Sequence, residues 1–285
     1  FLGSVADDLI ARGLMDTGIT CAETFDFDIA DKIYAPHDNL CLAVTLHKDG
    51  SMDKRVIGSL AECVKAKSDD AASWARLKAI FRAPSLQMVS FTITEKGYAL
   101  HKTDGSYLGY VAKDIDNGPA APIGAMAVAA AMLLERYKAG GTPITLSSMD
   151  NCSHNGSLLR TSVLTMAQEW KKRGFVDEEF LDWLRDEAKV SFPWSMIDKI
   201  TPRPADFVGE VLTKDGVEGQ DIIVTSKSTY IAPFVNAEGP QYLVVEDSFP
   251  NGRPPLEKAG VYMTDRDTVN KSERMKVTAC LNPIH

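Results

Sequence analysis

The sequence predicts an α/β fold: a mostly parallel sheet flanked by helices, with added antiparallel strands. Three observations predict it. Apolar runs that read as strands alternate with segments of helical periodicity along most of the chain. The run SLQMVSFTITEKGY is almost continuously apolar before it turns polar, a pattern that fits a central parallel strand, and PITLSSMDN reads as another short strand ending in polar residues. The section from about 200 to 265 is rich in strand-like runs, and extra antiparallel strands are expected there.

Taken in order, residues 1–14 read as a helix, with Leu2, Val5, Leu9 and Ile10 on one side and Gly13 near its end. GITCAETF reads as a buried strand closed by Asp26 and Asp28. NLCLAVTLHKDGSMDKRVIGSLAE predicts two strands around a turn at Asp49 and Gly50. A helix is expected over 71–81, then the SLQMVSF strand. GPAAPIGAMAVAAAMLLERYKAGG is a helix with Pro119 and Pro122 near its start and Gly140–Gly141 beyond its end. SLLRTSVLTMAQEWKKRGF carries Leu159, Val163, Met166 and Trp170 at helical spacing, and DEEFLDWLRDEAKV is a helix with an acidic start. DFVGEVL, DIIVTSK and QYLVVEDSF read as strands, and the stretch from Lys271 reads as helix until Pro283.

Composition narrows the function. With 285 residues, of which 45% are hydrophobic, a core of ordinary size is available. The net charge of −8, without a basic cluster, argues against nucleic acid and anionic membranes as partners. The apolar stretch IGAMAVAAAMLLERY is too short and too rich in alanine to span a bilayer. Five scattered cysteines without a CxxC pair read as free thiols in a reducing, cytoplasmic setting.

Three stretches can carry chemistry. In TITEKGY, Glu95 stands where a strand ends, and Gly97 permits a tight turn or close approach. Glu95 is read either as a site carboxylate or as a cap on the turn. SSMDNCSHNG crowds Asp150, Asn151, His154 and Asn155 between a strand and a helix. A zinc site would need a third ligand there, and no HExxH pattern exists, so no metal is expected. Asparagine amides at that edge can donate to a carbonyl or alkoxide oxygen, or the segment is an Asx-turn opening a helix. The last stretch holds Glu273, Lys276, Asn282 and His285. A lysine acts as a general base when its surroundings disfavour the charged form. The plain alternative is a solvated helix end. GxGxxG, Walker and GxSxG patterns are absent from the chain.

Together TITEKGY, SSMDNCSHNG, SFPWSMIDKITP, QYLVVEDSFPNGRPPLEKAGV and SERMKVTACLNPIH resemble, in the same order, the polyol-specific long-chain dehydrogenases, the mannitol dehydrogenase family. The resemblance implies a metal-free, NAD(P)-dependent dehydrogenase with a Rossmann-type domain followed by a helical substrate domain. It implies Lys276 as the base, Asn151 and Asn282 as donors to the substrate oxygen, and His285 as an orienting residue. Glu95, Glu273 and Asp198 match supporting acidic positions. The substrate is expected to be a keto sugar acid of the fructuronate/mannonate type. Mannitol or another polyol is the alternative, and a non-catalytic nucleotide-binding module is a reading of this chain alone.

The family's glycine-rich phosphate turn precedes a segment like FLGSVADDLI, and its substrate domain follows the histidine. Residues 1–270 are therefore expected to be the nucleotide-binding domain without that turn, and 271–285 the start of the substrate domain. Cofactor contacts are expected from Glu23 or Asp26, which can accept from adenosine ribose hydroxyls. A carboxylate there repels a 2′-phosphate, which favours NAD over NADP. One departure stands out: Lys276 precedes Asn282 by six residues where the lysine of the family pattern precedes its asparagine by five. One extra residue rotates a helix by about 100°, so a π-type bulge is expected between Val277 and Leu281.

Overall fold

The computed structural model describes residues 1–199, 201–239 and 241–276. In chain order the elements are α1 (Leu2–Ala11), β1 (Ile19–Glu23), β2 (Cys41–Leu46), β3 (Met52–Ile57), β4 (Leu60–Lys65), α2 (Ala71–Arg82) and β5 (Met88–Phe91). There follow α3 (Thr94–Tyr98), α4 (Gly109–Asn117), α5 (Ala125–Lys138), β6 (Ile144–Ser148), α6 (Asn155–Lys172) and α7 (Glu178–Arg185). The remainder is β7 (Val190–Ser191), β8 (Ser195–Asp198), α8 (Asp206–Lys214), β9 (Ile223–Val224), β10 (Tyr230–Ile231), β11 (Phe234–Glu238), β12 (Tyr242–Glu246), β13 (Tyr262–Thr264) and α9 (Arg266–Met275). They form two compact units: residues 1–65 with 198–242, and residues 66–197 with those from 243 onward.

In the first unit β1 pairs parallel with β4. β2 lies between β11, parallel to it, and β3, antiparallel to it. The β2–β3 turn forms at the predicted place: Gly50 takes φ +85°, and the Asp49 carboxylate accepts from the Ser51 amide at 2.9 Å. Glycine carries that left-handed backbone without penalty. The DFVGEVL run, expected as a strand, is helix α8. Its buried residues explain the difference, since Val208 and Leu212 are four apart and pack with Val44, Ala232 and Phe234. A spacing of four puts both on one helix face, and burying each contributes about 1.5–3 kcal/mol. The antiparallel pairs are β2–β3 and β9–β10, while β11 joins its sheet in parallel.

In the second unit β6 runs between β5 and β7, all parallel. Every residue of β6 is buried, whereas β5, which carries the near-continuous apolar run expected of a central strand, stands at the end of the β5–β6–β7 order and is only half-buried. α5 is buried along most of its circumference, so its alanine-rich sequence is that of a core helix. Arg136 on α5 is also buried, and all five of its N–H groups donate to main-chain carbonyls. Helices α2, α7 and α9 start on aspartates, Asp70, Asp177 and Asp265, each accepting from an amide of the first turn. Such caps contribute about 1 kcal/mol each. A second set of strands runs β13–β12–β8, with β12 and β13 parallel. The ends of β6 and β8 and the end of α9 define the site.

Candidate functional site

Helix α9 brings a lysine out of water. Arg266 in its first turn donates to the Glu246 carboxylate at 3.1 and 3.0 Å. In its last turn Glu273 accepts from the Ser153 hydroxyl and from the His154 amide, the latter at 3.3 Å. Three residues on, Lys276 continues in helical conformation, with φ −56° and ψ −52°. It is only 4% exposed. Its Nζ donates to the Ile197 carbonyl at 2.5 Å and to Asn151 Oδ1 at 3.2 Å. An ammonium has donors and no acceptor, so the Asn151 amide must turn its oxygen to the lysine. That leaves the two Nδ2 hydrogens as the outward edge of an otherwise exposed side chain.

Asn151 is held by its neighbour. Asp150, 7% exposed, accepts from the Ile93 amide at 2.9 Å, the Thr94 amide at 3.0 Å and the Tyr98 hydroxyl at 2.5 Å. Its carboxylate, from the segment after β6, thus caps the start of α3. Burial, followed by donation to Asp150, drives the Tyr98 phenol well above its ordinary range. The TITEKGY stretch accordingly differs from the expected strand end. The strand stops at Phe91, Thr94 takes φ +62°, and Glu95 sits in the first turn of α3, exposed. Gly97 is required by packing, since a Cβ there would meet Ile93 side-chain carbons at 2.8 Å.

His154, the other half of the zinc alternative, stacks its ring on Trp194 at 4.2 Å between centroids. Asp150 and His154 thus serve separate structural contacts. Cys152 lies among negative charges. Burial first, then Asp150, Glu95 and Glu273, push its thiol up to about 11. This shared influence is what links Glu95 to Glu273. Asp198, half-buried, ends β8 directly after the carbonyl that receives Lys276.

The two expected cofactor residues differ from each other. Glu23 ends β1, half-buried, with Oε1 accepting from the Phe25 and Asp26 amides at 2.8 and 3.1 Å. A carboxylate has capacity beyond two bonds, so Glu23 fits a ribose hydroxyl. Asp26 does not fit. It is 3% exposed, and its Oδ2 accepts from the Thr225 hydroxyl at 2.6 Å and from the Thr229 hydroxyl. Its carboxylate braces the β9–β10 turn, a role the acidic run alone did not reveal. Asn282, His285 and the π-type bulge expected over 277–281 lie outside the described residues.

Two contributors were missed by the sequence reading. The Ile197 carbonyl is a main-chain group, which no residue type announces. The SMID segment around it had drawn attention only through Asp198. Asn155 had been read as part of an Asx-turn, yet it makes several buried bonds. The nearby clue was Gly156, where a Cβ would meet the Phe192 and Pro193 carbonyl oxygens at 2.6 Å.

The family model described as the mannitol dehydrogenase Rossmann domain matches residues 19–258. A D-mannonate oxidoreductase of Thermotoga maritima is 52% identical over 287 residues, covering 100% of this chain and 53% of that protein. A polyol:NADP oxidoreductase of Gluconobacter oxydans is 34% identical, covering 76% of this chain and 40% of that one. In shape, the chain is similar to Pseudomonas fluorescens mannitol 2-dehydrogenase in its ternary complex with NAD and D-mannitol. The TM-score is 0.77 at 30% identity, over 97% of this chain and 52% of the other. The chain therefore spans about half the length of these relatives, or less.

Proposed function

The chain belongs to the mannitol dehydrogenase family, and from that premise we propose that the protein is an NAD-dependent oxidoreductase interconverting a keto sugar acid and its secondary alcohol. The observation that carries the reading is the buried Lys276 Nζ donating to Asn151 Oδ1 at 3.2 Å. Support for a sugar acid comes from the name of the Thermotoga maritima relative. The solved complex with D-mannitol favours a polyol as the second reading.

When bound, NAD supplies the hydride acceptor. The neutral Lys276 amine takes the proton of the substrate hydroxyl as the C–H bond gives up its hydride. Asn151 donates from Nδ2 to the same oxygen, where negative charge develops, a contribution of about 3–4 kcal/mol for one such donor. Asn282 is a second donor and His285 orients the substrate. Glu95, Glu273 and Asp198 shape the surroundings of the base. Glu23 accepts from the adenosine ribose. Residues 1–270 form the nucleotide-binding part, and α9 leads into a helical substrate domain. The protein acts in the cytoplasm on a small molecule, without nucleic acid or membrane.

The test is oxidation of NADH and of NADPH by the complete gene product with fructuronate, tagaturonate and fructose. The expected result is turnover with a uronate and a preference for NADH. Turnover with fructose alone establishes the polyol reading, and a preference for NADPH removes the role given to Glu23. A folded protein silent with all three substrates defeats the enzyme reading and leaves a non-catalytic nucleotide-binding module.

A further inference from the structure

Both described oxygens that receive Lys276 belong to separate parts of the chain. Asn151 lies just after β6, and Ile197 lies on β8. For a base, their spacing matters: a displacement of one would move Nζ away from the oxygen it must serve. One buried side chain spans the two. Asn155, 1% exposed, donates from Nδ2 to the Asp150 carbonyl at 3.0 Å and the Ser148 carbonyl at 3.4 Å. On the other side the same nitrogen lies 3.1 Å from the Ser195 carbonyl oxygen and 2.9 Å from the Ser195 hydroxyl, so its two hydrogens are shared among these four oxygens. Its Oδ1 accepts from the Ser195 amide at 3.0 Å and the Gly156 amide at 2.8 Å. Ser195 closes the same bridge by donating from Oγ to the Ser148 carbonyl at 2.5 Å.

The geometry on each side leads directly to the lysine. The Asp150 carbonyl belongs to the peptide group that joins Asp150 to Asn151. Fixing it fixes the plane from which the Asn151 side chain departs. Ser195 and Ile197 are alternate residues of one strand, so they share an orientation. Holding the Ser195 main chain by both its amide and its carbonyl sets the direction of the Ile197 carbonyl. Gly156 allows the close approach, because any side chain there would strike the 192–193 backbone.

We propose that Asn155 is a positioning residue: its single buried amide sets the separation and direction of two oxygens that receive Lys276, Asn151 Oδ1 and the Ile197 carbonyl. The proposal rests on the reading of Lys276 as the base. It goes beyond an Asx-turn, because a turn residue would organise only its own loop, whereas this amide joins the end of β6 to β8, whose facing residues Ser148 and Ser195 are 47 apart in sequence.

The test uses the complete gene product with Asn155→Ala, Ser195→Ala and a control, Thr145→Val. Thr145 shares a buried hydroxyl pair with Ser191 in the same unit, away from Lys276. The first readout needs no substrate. Acetic anhydride acylates neutral amines, and mass spectrometry measures the modification of Lys276 over a pH series. Asn155→Ala is expected to raise the Lys276 rate at least about threefold and Ser195→Ala by less, with Thr145→Val unchanged. The second readout is alcohol oxidation. Asn155→Ala is expected to lower kcat about tenfold with KM within about twofold, the pattern of an interaction lost in the transition state. Should Asn155→Ala fail to fold, Ser195→Ala carries the same comparison. Unchanged Lys276 labelling in a folded variant that melts as early as the control overturns the proposal. An inactive wild type with the expected labelling pattern counts against the oxidoreductase reading alone.

Discussion

Among the described residues of the second unit two basic side chains are buried, and they are buried differently. Arg136 meets only main-chain oxygen: Thr142, Phe81, Ala83, Leu86 and Pro143, at 2.6–2.9 Å. Its rigid fork joins the end of α2, the end of α5 and the start of β6. Burial lowers its basicity, yet a guanidinium keeps its proton under any ordinary condition. Lys276 donates to a main-chain carbonyl and to a side-chain amide, and that amide is itself exposed. An amine on a flexible stem can lose its proton. The difference teaches that burial of charge alone does not mark a site. What marks it is a cation that can change state beside a polar group turned to solvent.

The sharpest way to break this comparison is to remove each charge. Lys276→Met should lower kcat/KM by about 10²–10⁴-fold, the range for a lost general base. Its stability should stay within about 1–2 kcal/mol, because an apolar chain of similar volume replaces a buried charge at little cost. Arg136→Met should do the reverse. Five carbonyls lose their donors, and a loss of about 3–5 kcal/mol in stability is expected, with activity per folded molecule kept. Thermal melts and steady-state rates on the same preparations check both. If Lys276→Met unfolds the protein as strongly as Arg136→Met, the lysine is a structural cation and the proposed chemistry has no base.

A smaller effect sharpens the same contrast with an anion. Asp150 resembles Arg136 in being saturated, with two amides and a phenol on its carboxylate, but it adjoins Asn151 in sequence. Asp150→Asn turns an N–H group toward donors, and a loss of about 2–3 kcal/mol is expected. Activity should also fall, by less than for Lys276→Met, because Asn151 is displaced and not removed. Elemental analysis of wild type and variant should find no zinc in either. Stoichiometric zinc in the wild type would reverse the assignment of Asp150 as a cap.

Much of this was legible in the sequence, and the failures have physical causes. The helix over 71–81 and the Asp49–Gly50 turn follow from periodicity and turn chemistry, which act locally. DFVGEVL was misread because four apolar residues in seven satisfy a strand, while only the i, i+4 pair Val208 and Leu212 discloses the helix. At the site, Lys276, Asn151 and Glu273 were legible through their motifs, and their side chains and bonds lie together. Asp26 was not, because its partners Thr225 and Thr229 lie two hundred residues away in sequence. The Ile197 carbonyl was hidden for another reason: every residue carries that group, so position alone gives it a role.

The finest probe of the comparison is Cys152, which senses charge around Lys276 and lies away from Arg136. With its thiol pushed up to about 11 by burial and by Asp150, Glu95 and Glu273, only about one molecule in a thousand carries the thiolate at pH 8. Alkylation by iodoacetamide should therefore be slow and should rise about tenfold per pH unit through pH 9. Glu273→Gln removes one of the negative charges that disfavour the thiolate, so the midpoint falls and the rate at pH 8 should rise about two- to fivefold. Glu95→Gln should act in the same direction. Arg136→Lys should leave the Cys152 rate unchanged in the folded protein, because its charge stays enclosed by its own carbonyls. Peptide mapping by mass spectrometry separates Cys152 from the other cysteines. A Cys152 rate that ignores Glu273→Gln would mean that the carboxylate on α9 does not act on this loop, and the electrostatic link between α9 and the end of β6 would be lost.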